Sequence, residues 1–177
     1  MRENCTYGSM RDILRAEGES RSDALAEVRT YPAGASRPTL HPCAPEPLAA
    51  APHSPGNIVT VRSMRGTKVN QIMIGSCTNS SYRDIRMVAQ ILKGKHVAED
   101  VEVGIACGSR QVVNMLAADG SLAILIKAGC RILENACGFC IGAHMSPSTG
   151  AVSLRTNNRN FEGRSGTKSA QVYLVSP

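Results

Sequence analysis

The sequence predicts an α/β fold, a three-layer α/β/α arrangement around a mostly parallel sheet. Three observations carry that prediction. Short apolar runs of strand length alternate with helical segments from residue 69 onward. The helical segments open on capping residues and close on glycines. Hydrophobic residues make up 42% of the chain against 19% charged, the balance of a globular protein, and 177 residues suffice for one domain or one plus a tail.

In chain order, residues 11–29 (RDILRAEGESRSDALAEVR) offer a short helix through Ile13, Leu14, Leu25 and Val28, interrupted by Gly18 and the serines. Seven of the nine prolines lie between Pro32 and Pro55, so that stretch reads as a linker or irregular arm. Val69 to Gly75 (VNQIMIG) is a strand. Ser81 to Gly94 is a helix with Ile85, Val88, Ala89 and Leu92 on one face, Ser81 as N-cap, Asp84 three residues on and Gly94 as the stop. Val101 to Ala106 is the second strand. Ser109 to Ala118 and Ser121 to Ala128 are helices ended by Gly120 and Gly129. Arg131 to Glu134, Ala151 to Arg155 and Gln171 to Val175 complete the strands. Strands alternating with helices in this way favour a parallel sheet covered on both faces.

The formal charge is +6, and residues 57–177 hold all of the excess, with fourteen Lys/Arg against seven Asp/Glu. Such an excess attracts an anionic partner, a nucleic acid or a small polyacid. Aromatics are only 3% with no Trp and the basic residues are scattered, so the stacking surface of a single-strand binder is missing and a nucleic-acid partner is not expected. The longest run of large aliphatics, Leu122 to Ile126, is far short of a membrane span, and the N-terminus has no signal-peptide core. No membrane partner and a cytoplasmic location are expected.

Seven cysteines, an odd number at irregular spacing, favour reactive or metal-binding thiols over a disulfide framework. Cys77 follows the first strand of the regular region, and Cys137 and Cys140 follow the third. In open parallel sheets, ligand sites gather beyond the carboxyl ends of the strands. Cys137-Gly138-Phe139-Cys140 is a C-x-x-C, whose spacing suits half of a zinc site, a redox pair or an iron-sulfur cluster. Three thiolates on a cubane would leave one iron free as a Lewis acid. The helix opening at Ser81 would favour a Cys77 thiolate through its N-terminal dipole. The plainer alternative is that Cys77 is a small buried residue at a strand end. A second constellation, Asn157 to Arg164 (NNRNFEGR), places Arg159 and Arg164 five apart on a glycine-containing loop, where guanidinium groups suit carboxylates, or it is simply a solvated basic loop.

Gly75-Ser76-Cys77-Thr78-Asn79-Ser80, then Cys137-Gly138-Phe139-Cys140-Ile141-Gly142, then Asn158-Arg159-Asn160-Phe161-Glu162-Gly163-Arg164 resembles, in order and spacing, the aconitase family of iron-sulfur hydro-lyases. The resemblance covers residues 46–177 and is closest to the bacterial aconitate hydratase branch; residues 1–45 are an unmatched arm, irregular or weakly helical. It implies an incomplete domain of the aconitase fold and a 4Fe-4S cluster held by Cys77, Cys137 and Cys140. It further implies that Asn158 lies beside the cluster and that Arg159 and Arg164 bind the oxygens of a small tri- or dicarboxylate substrate. The implied reaction interconverts citrate and isocitrate through cis-aconitate; the alternative is a related hydro-lyase, homoaconitase or 3-isopropylmalate dehydratase.

Members of the family build the site from four domains, so the implied partners include the missing domains of the parent enzyme, and no catalytic acid or base is assigned in this chain. Because the sequence stops at LVSP, a fragment inactive by itself is expected. Phe139 and Cys107 stand where the family usually has Pro, and both departures bear on cluster stability. Two other classes compete: a zinc module in which His144 joins the three cysteines as Cys3His, and a basic RNA-binding domain with strong salt dependence. His41, His53 and His96 are assigned to the surface.

Overall fold

The computed structural model describes residues 47–177. The arm 1–45, with the helix expected over 11–29, Cys5, His41 and Cys43, lies outside the described residues. Seven strands occur in chain order: β1 (Leu48–Ala50), β2 (Ile58–Thr60), β3 (Gln71–Gly75), β4 (Glu102–Ala106), β5 (Arg131–Leu133), β6 (Val152–Arg155) and β7 (Gln171–Leu174). Three α-helices accompany them, α1 (Tyr82–Leu92), α2 (Arg110–Ala118) and α3 (Ser121–Lys127). The strands form one sheet in the order β2-β1-β7-β6-β3-β4-β5. Pairings from β7 through β5 are parallel, and only those of β1, to β2 and to β7, are antiparallel.

Local chemistry sets the helix ends. The Ser81 hydroxyl accepts from the Asp84 amide while the Asp84 carboxylate accepts from the Ser81 amide at 3.1 Å, a reciprocal cap that satisfies two otherwise orphaned donors. Ile85, Val88, Ala89 and Leu92 then fall on one buried face of α1, and each large side chain that leaves water contributes about 1.5–3 kcal/mol. Ser109 caps α2 by accepting from the Val112 amide at 3.2 Å.

Alternation along the strands sends Ile72 and Ile74 to one face of β3 and Gln71 and Met73 to the other. The connections β3-α1-β4 and β4-α2-α3-β5 advance in one direction, so right-handed crossovers place all three helices on the same face. There Ile72, Ile74, Val103, Ile105 and Leu154 pack with Ile85, Val88, Leu116 and Leu125 in one core. The chain then returns from β5 to β6 across β3 and β4, and the same rule puts this connection on the opposite face. Met73, Ala106 and Phe139, flanked by Leu133 and Met145, form a second, smaller core beneath it. Both faces are therefore covered, the second by a loop layer whose one regular piece is a single 3-10 turn, Phe139–Ile141.

The linker expected through Pro55 is corrected for its described part. Residues 48–50 are a strand, with Ala49 and Ala50 at 0% and 1% exposure. Pro47, Pro52 and Pro55 flank this strand rather than interrupt it, so no ladder donor is lost. A turn closed by Ala51 N donating to Asn57 O at 2.7 Å, with the Asn57 amide donating to Pro52 O at 2.9 Å, leads into β2. The proline count obscured a hairpin only three residues deep. Among the described residues no helix is long and apolar enough to cross a membrane.

Candidate functional site

Because β3, β5 and β6 are parallel members of one sheet, the three motifs leave from its same, carboxyl edge. The first exit is the tightest. Gly75 has φ +112, and a Cβ there would lie 1.8 Å from the Ala106 carbonyl oxygen. Ser76 follows with φ +76, a left-handed backbone that a non-glycine residue adopts at a cost of about 1–2 kcal/mol. Its amide donates to Ala106 O at 3.1 Å and its carbonyl accepts from the Ser80 hydroxyl, which closes the turn. Cys77, at the tip, is exposed rather than a buried strand-end residue.

The exit from β6 interlocks with it. Thr156 Oγ1 accepts from the Gly75 amide at 2.8 Å, the Asn79 side chain donates to Thr156 O at 2.5 Å, and Thr78 Oγ1 donates to Asn158 Oδ1 at 3.5 Å. The C-x-x-C turn is packed equally closely against the arginine loop. Gly142 has φ +75, and a Cβ would come within 2.6 Å of the Ser165 carbonyl group. Arg164 Nη2 reaches Cys140 Sγ at 3.8 Å. Cys137 is exposed and Cys140 buried. Asn158 and Arg159 are exposed, whereas Arg164 is half-buried and turned toward Cys140.

All six buried side-chain polar atoms without a partner, among the described residues, lie in these segments: Ser76 Oγ, both amide atoms of Asn157, Asn160 Oδ1, Arg164 Nε and Ser165 Oγ. Unpaired buried polar atoms are rare enough to call for a ligand or water at such a place. Three free thiols, an arginine at one of them and unmet donors and acceptors in the same segments fit an anionic, sulfur-ligated group. No three His, Cys, Asp or Glu side chains converge on a single metal ion among the described residues. That holds for a three-thiolate set as much as for Cys3His, and His144 packs on the C-x-x-C turn, its ring 2.6 Å from where a Gly138 Cβ would lie, so the metal itself decides between the two.

Cys107 and Cys130 are buried, and burial pushes both thiols up, Cys130 to about 11. His53 and His96 are exposed, as expected. A shallow depression of about 730 Å³ opens at the opposite, amino edge, among Asn70, Glu99, Asp100, Glu102 and Arg131; its carboxylates do not suit a polyacid.

The sequence reading missed Arg155, taken only as the end of a strand. It is fully buried, with Nε on Ser153 Oγ at 3.0 Å and Nη2 on Gln71 Oε1 at 2.9 Å and Met145 O at 3.2 Å. Nη1 donates to the carbonyl of Phe139, and the guanidinium lies 5.6 Å from the centre of the Phe139 ring. Burial pulls its pKa down to about 10, with the Cys140 sulfur opposing. The detectable signal was a charged residue closing the otherwise uncharged strand VSLR. Phe139 is 1% exposed and completes the second core.

A family model described as aconitase family (aconitate hydratase) matches residues 47–177. The chain is 41% identical over 132 residues to 3-isopropylmalate dehydratase large subunit 2 of Rubrobacter xylanophilus, covering 74% of this chain and 31% of that protein. It is 45% identical over 132 residues to 3-isopropylmalate dehydratase large subunit 2 of Pyrococcus furiosus, covering 74% and 34%. It is 40% identical over 133 residues to the methanogen homoaconitase large subunit of Methanocaldococcus jannaschii, covering 75% and 32%. The chain thus spans about a third of the length of the curated relatives it matches.

Proposed function

This chain belongs to the aconitase family, and on that premise we propose that residues 47–177 are the cluster-binding α/β unit of a hydro-lyase of the isopropylmalate dehydratase and homoaconitase kind. The observation that carries the proposal is the convergence at one sheet edge of three free thiols, Arg164 and every unpaired buried polar atom among the described residues. Cys77, Cys137 and Cys140 would hold a 4Fe-4S cluster. Such a group, when bound, supplies a Lewis-acidic iron able to take a substrate hydroxyl.

The chain's own residues do the rest. Gly75 and Ser76 aim Cys77 outward, and the Gly142 contact seats the C-x-x-C turn against the arginine loop. Arg159 and Arg164 offer guanidinium groups to the carboxylates of a 2-hydroxy di- or tricarboxylic acid, and Asn158, tied to Thr78, offers an amide beside them. The citrate and isocitrate chemistry expected from the sequence gives way here to the related dehydratases, because the relatives named above are isopropylmalate dehydratases and a homoaconitase. Their designation as large subunits supports a second polypeptide as partner.

Anaerobic reconstitution with iron and sulfide, run beside Cys77→Ser, tests the cluster. Iron and sulfide uptake with a visible chromophore that the Cys77→Ser chain lacks is expected. Uptake of a single zinc, or a chromophore indifferent to Cys77, refutes the reading. Titration of the reconstituted chain with 3-isopropylmalate and with citrate, followed by EPR, then tests the substrate class.

A further inference from the structure

We propose that Arg155 is the positioning residue of the C-x-x-C turn: its buried guanidinium pins both ends of the loop that carries Cys140 and supplies fixed positive charge beneath the anionic group held there. The pinning stands on the geometry alone, and the charge role rests on the cluster-binding reading above.

The geometry of pinning is specific. One guanidinium donates to the carbonyls of Phe139 and Met145, which bracket the second half of the motif. Met145 sits at φ +54, a strained backbone for a non-glycine residue, and its carbonyl also accepts from the Gln71 side chain at 3.1 Å. Gln71 and Ser153, on the neighbouring strands β3 and β6, orient the guanidinium from below. A planar fork with five donors can hold two carbonyls six residues apart while resting on its own strand. The ammonium of Lys is a point charge and cannot do all of this at once.

Charge supplies the second argument. All of the hydrogen-bond partners of Arg155 are neutral. The one carboxylate in the network, Glu102, is engaged by Gln71 at 3.1 Å and by Arg131 at 3.1 Å. A cation at 0% exposure with no carboxylate partner is costly, and a packing role alone would be met by a neutral side chain. The anion that completes the arrangement is the thiolate-ligated group at Cys140. Cluster potentials respond to nearby charge and to hydrogen bonding around the sulfurs, so a fixed cation below one ligand favours the reduced, more negative form.

The test uses the full 177-residue chain with Arg155→Met and Arg155→Lys. In the metal-free protein, the turn amides of Cys140, Ile141, Gly142 and Ala143, all internally bonded, are followed by hydrogen exchange. Arg155→Met is expected to speed them at least tenfold relative to the amides of β3 and β4, and Arg155→Lys to speed them less. In the reconstituted protein, Arg155→Met is expected to shift the one-electron reduction equilibrium about tenfold, roughly 59 mV toward lower potential, while Arg155→Lys, which keeps the charge, holds the potential near that of the parent. Turn amides within twofold of the parent, or turn and strand amides accelerated by the same factor, overturn the pinning. An unchanged potential in Arg155→Met overturns the charge role. If the parent chain takes up no cluster, the proposed function fails and the charge role with it, while the exchange result still decides the pinning.

Discussion

Gly75→Ala is the substitution whose cost can be worked most directly from the structure. Two separable penalties apply. The backbone at φ +112 disfavours any L side chain, about 1–2 kcal/mol by the sterics that exclude left-handed conformations. The added Cβ would also lie 1.8 Å from Ala106 O and 2.8 Å from its carbonyl carbon, where real contacts stay beyond 3.0 Å. The carboxyl ends of β3 and β4 must therefore part, which breaks the 3.1 Å bond from Ser76 N to Ala106 O and leaves a buried acceptor unmet at about 1–3 kcal/mol. Together these give about 2–5 kcal/mol, a large share of the stability of an ordinary domain. With a urea m-value of about 2 kcal/mol/M, the unfolding midpoint falls by about 1–2.5 M. Gly94→Ala is the internal control: its φ is +75 but nothing lies within 4 Å of the added Cβ, so only the torsional penalty of about 1 kcal/mol remains. Equal losses for the two variants, measured by denaturant titration, would refute the argument from contact.

Three further outcomes are expected. Ser81→Ala removes the hydroxyl that accepts from the Asp84 amide and keeps the backbone donor to the Asp84 carboxylate; it should cost about 1 kcal/mol in the same titration, with the slope unchanged. Asn160→Ala leaves Ala51 O and Val172 O without their donor, at 2.7 and 3.0 Å in the parent; a loss of about 2 kcal/mol with selective exposure of β1 to hydrogen exchange is expected. Thiol reagents should modify Cys77 and Cys137 in the folded chain, and Cys107 and Cys130 only on unfolding. Because Cys130 is raised from 9.0 to about 11 in the folded state, its contribution is present below pH 9 and lost as pH rises toward 11. The difference in stability between the parent and Cys130→Ala should shrink across that window, and a constant difference would refute the assignment.

Periodicity and capping made most of the sheet and all three helices legible. Ser81 with Asp84, Ser109 with Val112 and the glycines at 94, 120 and 129 are local signals, and they hold within one or two residues of their expected places. The hairpin of β1 and β2 was not legible because its strands are three residues long and set among prolines; β1 owes its burial to β7, more than a hundred residues away. Convergence of the motifs was readable from parallel-strand logic, since each follows a strand of the same direction. Arg155 was not, because a buried guanidinium is defined by groups from distant segments, Gln71 on β3 and Phe139 with Met145 on the C-x-x-C loop, and no local window contains them.

The position of β6 has a consequence for how the chain is made. This strand lies between β3 and β7 in space but follows β3, β4 and β5 in synthesis, and Ser153 bonds to Gln71 across 82 residues. At ribosomal rates of about 5–20 residues per second, β3 waits roughly 4–16 s with one edge unpaired. During that interval QIMIG, the most buried strand of the finished fold, is an open template for a neighbouring nascent chain. Codon-dependent pausing between residues 107 and 151 would lengthen the exposure, so slower translation of that stretch is expected to lower the yield of native protein while leaving the stability of the completed sheet unchanged.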